Sequence, residues 1–151
     1  MMTSRRWIAA VVLTLSAVPA FAERSAVAGR IKTASGAVFI VRAGGEPLPA
    51  QIGQEIFETD GLKTGADGHL GVTLKDDTRV SLGPDTEVRV QAFKYAPGEG
   101  RLALVLKFVR GVTAYVSGRI AKLSPDAVRL ETPAAIVGVR GTTVVITVLS
   151  E

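Results

Sequence analysis

The stretch Leu70-Gly71-Val72-Thr73-Leu74-Lys75-Asp76-Asp77-Thr78-Arg79-Val80-Ser81-Leu82 sets apolar side chains at 70, 72 and 74 and again at 80 and 82, with small or polar residues between them. Residues two apart share one face of an extended strand, so each half carries an apolar face and a wet one. The two halves flank Asp76-Asp77, a turn signal, and the stretch predicts a hairpin. If Leu74 and Val80 are cross-strand partners on the core face, the loop between the paired flanks has an odd length. Asp76-Asp77-Thr78 then form a three-residue loop, with Lys75 opposite Arg79 on the outer face. Such a loop carries one residue at φ > 0, a conformation that glycine adopts most cheaply and aspartate tolerates; Asp77 is placed to take it.

Working outward, the same alternation recurs in Val88-Arg89-Val90, in Val112-Thr113-Ala114-Tyr115-Val116 and in Val128-Arg129-Leu130-Glu131-Thr132. Leu102 to Val109 is apolar at nearly every position, the pattern of a central strand covered on both faces. Thr142 to Leu149, rich in β-branched residues, is a second candidate for a buried strand. Turn signals separate these runs: Gly44-Gly45, Asp60-Gly61, Asp67-Gly68, Gly83-Pro84-Asp85, Pro97-Gly98, Gly118 and Pro125-Asp126. No window of a dozen residues keeps a helical stripe. The expected fold is all-β, with short antiparallel strands and hairpins in a twisted sandwich- or solenoid-like stack.

Length and composition bound the function. The chain has 151 residues, 47% of them hydrophobic, and a mean hydropathy of +0.31. That suits one domain with a sizeable core. There is no cysteine and a single histidine, His69. Disulfides, thiolate metal sites, cysteine nucleophiles and lipidated cysteine anchors are excluded. Arg5 and Arg6 precede the uncharged run Trp7 to Ala22, which ends in Ala20-Phe21-Ala22 ahead of Glu23. This is the pattern of a cleaved secretory signal peptide, and the run is short for a permanent span. The domain organisation expected is a signal peptide helix over 1–22 and a β domain over 23–151, with a periplasmic or secreted location. Residues 1–22 hold two arginines and no acid, so cleavage lowers the formal charge from +4 to +2. The remaining basic residues are scattered among acids, which argues against a nucleic-acid partner.

Several segments, taken in order, resemble the FecR domain family. They are Val27-Ala28-Gly29-Arg30-Ile31, Gly36-Ala37-Val38-Phe39-Ile40-Val41-Arg42, and Asp60-Gly61-Leu62-Lys63-Thr64-Gly65-Ala66-Asp67-Gly68. The likeness continues through Leu74 to Thr86 and closes on Thr132-Pro133-Ala134-Ala135-Ile136-Val137-Gly138-Val139-Arg140-Gly141-Thr142. Asp77 stands where the family usually has glycine in an Asp-Gly-Thr turn. The resemblance implies a periplasmic, β-rich, non-catalytic module. In the best-known members that module follows a cytoplasmic segment, which binds an extracytoplasmic-function sigma factor, and a transmembrane helix; the periplasmic part contacts a TonB-dependent outer-membrane transporter. This sequence shows neither the cytoplasmic segment nor a lasting membrane helix. The expectation is therefore the module alone, binding another cell-envelope protein as an accessory in envelope sensing or signalling. The alternative is a structural or glycan-binding envelope protein that engages peptidoglycan or polysaccharide.

Asp60, Asp67, Asp76, Asp77 and Asp85 sit at turns, but no run has the close oxygen spacing of a calcium loop, and turn initiation is the simpler role. His69 with Ser81 and Asp67 lacks any nucleophile elbow. Asp76 and Asp77, adjacent in one turn, cannot oppose each other across a cleft. No catalytic, cofactor-binding or metal site is expected, and no enzyme activity. Arg140 interrupts an apolar stretch, which predicts a partly buried guanidinium acting as a structural clamp or, alternatively, a ligand anchor. Phe93 and Tyr95 break their strand's alternation and precede Pro97-Gly98, as an exposed contact patch or, alternatively, as core residues or a bulge.

Overall fold

The computed structural model describes residues 26–141 and 143–149. The signal segment assigned to 1–22 lies outside them, as do residues 23–25 of the assigned domain. The described chain forms β1 (Val27–Ser35), β2 (Val38–Val41), β3 (Pro47–Pro49), β4 (Glu55–Phe57), β5 (Gly61–Thr64), β6 (His69–Leu74), β7 (Arg79–Leu82), β8 (Glu87–Ala96) and β9 (Arg101–Val116). After β9 come the helix α1 (Arg119–Leu123), β10 (Val128–Glu131), β11 (Ile136–Gly138) and β12 (Thr143–Val148). The strands are ordered β3-β2-β5-β8-β9-β7-β6-β1-β4. The N-terminal half of β9 pairs with β8 and β10, and its C-terminal half with β7 and β12. The sheet curls into a half-barrel, the form taken by the expected twisted stack. Among the described residues no helix is long and apolar enough to cross a membrane.

All pairs are antiparallel except β10 on β9. Parallel neighbours need a crossover, commonly helical, and residues 117–127 with α1 supply it. A five-residue helix is too short to leave a 3.6-residue stripe in the sequence, so it was not expected.

The hairpin β6–β7 forms where the alternation placed it, with Val72 opposite Val80 and Thr73 opposite Arg79. Leu74 donates to the Thr78 carbonyl at 2.8 Å, and Asp77 to the Leu74 carbonyl at 3.0 Å. The loop is therefore Lys75-Asp76-Asp77, three residues long as expected but one position earlier. Lys75 is not opposite Arg79. Asp77 takes the left-handed conformation, φ 69°.

Two bulges decide which residues reach the core. In β8 the register slips at Gln91, between the pairs Val90–Leu106 and Ala92–Val105. One extra residue reverses the alternation, so Val88 and Val90 face inward before the slip and Phe93 after it, with Phe93 only 4% exposed. The bulge reading of Phe93 is the correct one. In β9 the extra residue is Val109, between the pairs Val88–Phe108 and Glu87–Arg110, followed by Gly111 at φ 88°. Leu104, Leu106 and Phe108 point inward before the kink; beyond it Thr113 and Tyr115 do, and Val112 is 44% exposed. The expectation that Val112 to Val116 buries its aliphatic residues is corrected: the kink turns them outward.

Two further expectations are revised. Ala103, Val105 and Val109 of β9 are half-buried, so that central strand is sealed on one face only. β12 pairs only with β9 and buries only Ile146. It is an edge strand, because β-branched side chains suit any pleated surface and do not specify a central position. Ile31, Ile40, Ile56, Leu62, Leu70, Leu104, Phe108, Ile120 and Leu130 are fully buried, each burial contributing about 1.5–3 kcal/mol.

Candidate functional site

Two of the turn aspartates, Asp60 and Asp76, together with Thr64, Thr78 and Thr86, prove to be internal joints. Asp76 is fully buried. Its Oδ1 accepts from the Thr78 amide at 3.1 Å, and its Oδ2 from the Thr78 hydroxyl at 2.7 Å and the Ile120 amide at 3.2 Å. The Asp76 carbonyl accepts from the Arg119 amide at 2.7 Å. Helix α1 starts at Gly118 without a capping side chain of its own, so a loop distant in sequence satisfies its first amides. Gly118 permits this approach: a Cβ there would collide with the Asp76 carbonyl and the Thr78 amide. Tyr115 lies under the joint. Burial raises its phenol pKa and the Asp76 carboxylate adds to the rise, while the Ser117 and Thr78 hydroxyls oppose it.

A second joint holds the β9 kink. The Thr64 hydroxyl donates to the Gly83 carbonyl at 2.6 Å and accepts from the Thr86 amide at 2.9 Å. The Thr86 hydroxyl accepts from the Val112 amide at 3.0 Å and donates to the Pro84 carbonyl at 3.0 Å. A Cβ on Gly111 would strike that hydroxyl. At a third joint, Asp60 accepts from the Phe57 amide at 2.9 Å and faces Arg42 at 3.7 Å, while the Arg42 guanidinium lies 4.7 Å from the Phe57 ring centroid. Burial raises the Asp60 carboxyl pKa, and the Phe57 amide and Arg42 partly offset the rise.

The hydrolytic constellation does not assemble. His69 and Ser81 are exposed on the outer face of β6–β7, and Asp67 instead accepts from the Ala37 amide at 3.1 Å. Among the described residues no group of His, Asp or Glu is arranged to hold a metal ion. Arg140 is exposed, contrary to the expected clamp. The stretch around it is not interior: Ile136 is 60% exposed, and only Val139, at 3%, turns inward. A short strand paired on one side only, to β10, leaves its neighbours wet.

Where the Lys75-Asp76-Asp77 loop meets the β8–β9 hairpin, a groove of about 480 Å³ is lined by Lys75, Phe93, Lys94, Tyr95, Glu99 and Arg101. Val27 and Lys75 continue it into a second hollow of about 320 Å³ that includes Arg30, Lys32 and Glu55. The acids there are engaged: Glu58 accepts from the Phe93 amide at 2.9 Å, Glu55 pairs with Arg30 at 3.0 Å, and Glu99 faces Arg101 at 3.8 Å. Lys32, Lys75 and Lys94 form no ion pair among the described residues. At the rim, the Tyr95 hydroxyl and Asp77, 3.1 Å away, hold the Arg119 guanidinium pKa above its ordinary value. Sequence reading found Tyr95 but not these lysines, because the sheet's curl, rather than sequence proximity, gathers them.

The scaffold is a curled antiparallel sheet whose turn motifs lock the strands, with a groove between the β6–β7 loop and the β8–β9 hairpin. A family model described as FecR protein matches residues 60–151, more than half of the chain. The chain belongs to the FecR family. The likeness over Val27 to Arg42 lies ahead of the matched segment. No curated protein and no solved structure matches the chain.

Proposed function

We propose that this protein is an exported, non-catalytic FecR module that binds another envelope protein in envelope sensing or signalling. Family membership supports the signalling role, and the signal-peptide pattern of residues 1–22 supports export to a periplasmic or secreted location. The observation that carries the binding reading is the open groove, where Lys75 and Lys94 lie beside Tyr95 without an ion pair, with Lys32 in the adjoining hollow. The lysines without an ion pair suit an acidic protein surface, since such charges steer a partner and fix its orientation. A glycan platform would need flat exposed aromatic faces, whereas Phe93 is buried and Tyr95 half-buried.

Two measurements test the proposal. Intact mass of the protein recovered from the envelope should begin at Glu23, and a full-length cytoplasmic form would contradict export. In-cell crosslinking should capture one acidic envelope protein with the parent and lose it with Lys32→Glu plus Lys94→Glu. An unchanged capture pattern would remove the groove from the account.

A further inference from the structure

The longest strand with a single neighbour among the described residues is β12. The other terminal strands, β3, β4 and β11, have three residues each; β3 begins and ends in proline and β4 begins with Glu55. Proteins protect such edges with prolines, charges, bulges or brevity. β12 uses none of these: Thr143-Val144-Val145-Ile146-Thr147-Val148 is uncharged, β-branched throughout, and paired to β9 without a register slip.

The direction of its backbone groups follows from β9. Val112 donates to Thr86 and accepts from Gly83, so its amide and carbonyl both point toward β7 and the loop after it. In an antiparallel ladder this direction alternates with each residue, so Thr113 and Tyr115 point toward β12. Their partners Ile146 and Val144 therefore bond to β9, which leaves the amides and carbonyls of Val145 and Thr147 aimed at the open edge. Val145 is 65% exposed.

We infer that the β12 edge is filled by β12 of a second copy of this chain, antiparallel, about a two-fold axis through Ile146. Opposed residues in a continued sheet share a face about any such axis; centring on Ile146, the middle inward residue, keeps all three inward side chains paired. Val145 lies opposite Thr147 of the copy on the outer face, with both sets of free groups exchanging hydrogen bonds. On the inner face Ile146 meets Ile146, and Val144 meets Val148, in closely spaced pairs that pack apolar side chains best. The strand's lack of charge gives the copy no repulsion to overcome. A single strand pair buries less than the roughly 1,200 Å² of stable interfaces, so the dimer is weak and depends on concentration. None of the groove residues belongs to β12, so this inference stands apart from the proposed binding groove.

Sedimentation equilibrium of the purified protein, up to about 1 mM, should show the mass doubling. Val145→Pro removes an outward N–H without touching the β9 ladder; it should stay monomeric throughout and melt like the dilute parent. The chain has no cysteine, so Ile146→Cys under mild oxidation should form a disulfide dimer across the closely spaced pair. Because Ile146 also packs on the core, an equimolar mixture of Val145→Cys and Thr147→Cys proteins provides a second arm. It should crosslink between the two variants and not within either. A parent that stays monomeric at every concentration overturns the inference and leaves the edge to a strand of another protein. A Val145→Pro dimer, or crosslinking of Val145→Cys with itself, overturns the assigned pairing.

Discussion

The Asp76 carboxylate accepts the backbone N–H of Ile120 at 3.2 Å across 44 residues of sequence, joining the β6–β7 hairpin loop to the first turn of α1. The same carboxylate holds the amide and hydroxyl of Thr78. A turn aspartate thus fixes where the crossover to β10 begins.

Removing that carboxylate strands buried donors. Hydrogen bonds to charged groups contribute roughly 1.5–3 kcal/mol, and unpaired buried donors add to the loss. Asp76→Ala is therefore expected to lower stability by about 3 kcal/mol or more in urea melts, and Asp76→Asn by less, since one acceptor oxygen remains. A loss below about 1 kcal/mol for the alanine variant would show that the joint contributes little.

Asp77 sits at φ 69° in the same loop. Asp77→Gly relieves the backbone and loses only the exposed, solvent-screened pair with Arg119. It should leave the midpoint unchanged or slightly raised. Asp77→Val should cost on the order of 1 kcal/mol or more, because β-branching resists that conformation. Equal tolerance of the two variants would refute the assigned loop geometry.

At the β9 kink, Gly111→Ala meets both a positive φ of 88° and the Thr86 hydroxyl. Strained backbone of this kind costs about 1–3 kcal/mol before the collision is counted. Thermal melts should show a clear loss, whereas Gly98→Ala, in open space, should stay within about 0.5 kcal/mol of the parent.

Asp60 makes a pH-dependent contribution. Its native pKa is raised above 3.8, so just above that value the folded state holds a proton that the unfolded chain has released. Stability from this group is full below the unfolded value and is lost as pH rises through the native one. The advantage of the parent over Asp60→Asn should therefore shrink as pH rises from below 3.8 through the raised native pKa. An advantage that grows with pH would reverse the assignment.

The hairpin and its left-handed aspartate were legible because period-two alternation and turn chemistry are local. So was the inward turn of Phe93, once a bulge was considered. Residues beyond the β9 kink were misread because one extra residue, Val109, reverses every later side chain, and the reversal shows only in the pairing with Glu87 and Val88. Arg140 was misread for a related reason: an apolar run predicts burial only if a partner strand covers it, and β11 has one neighbour. Its exposed guanidinium leads to the expectation that Arg140→Ala shifts stability by no more than about 0.5 kcal/mol. Asp76 carried a visible signal as a turn residue, but its partner Ile120, like the partner Val112 of Thr86, was set by tertiary packing.

Site-specific photocrosslinking in the intact envelope tests the central claim most directly, with the probe at Lys94 in the groove and, separately, at His69 on the exposed outer face of β6. The account expects one discrete adduct with an envelope protein from position 94 and none from position 69. Equal labelling from both positions, or an adduct from position 69 alone, would contradict it.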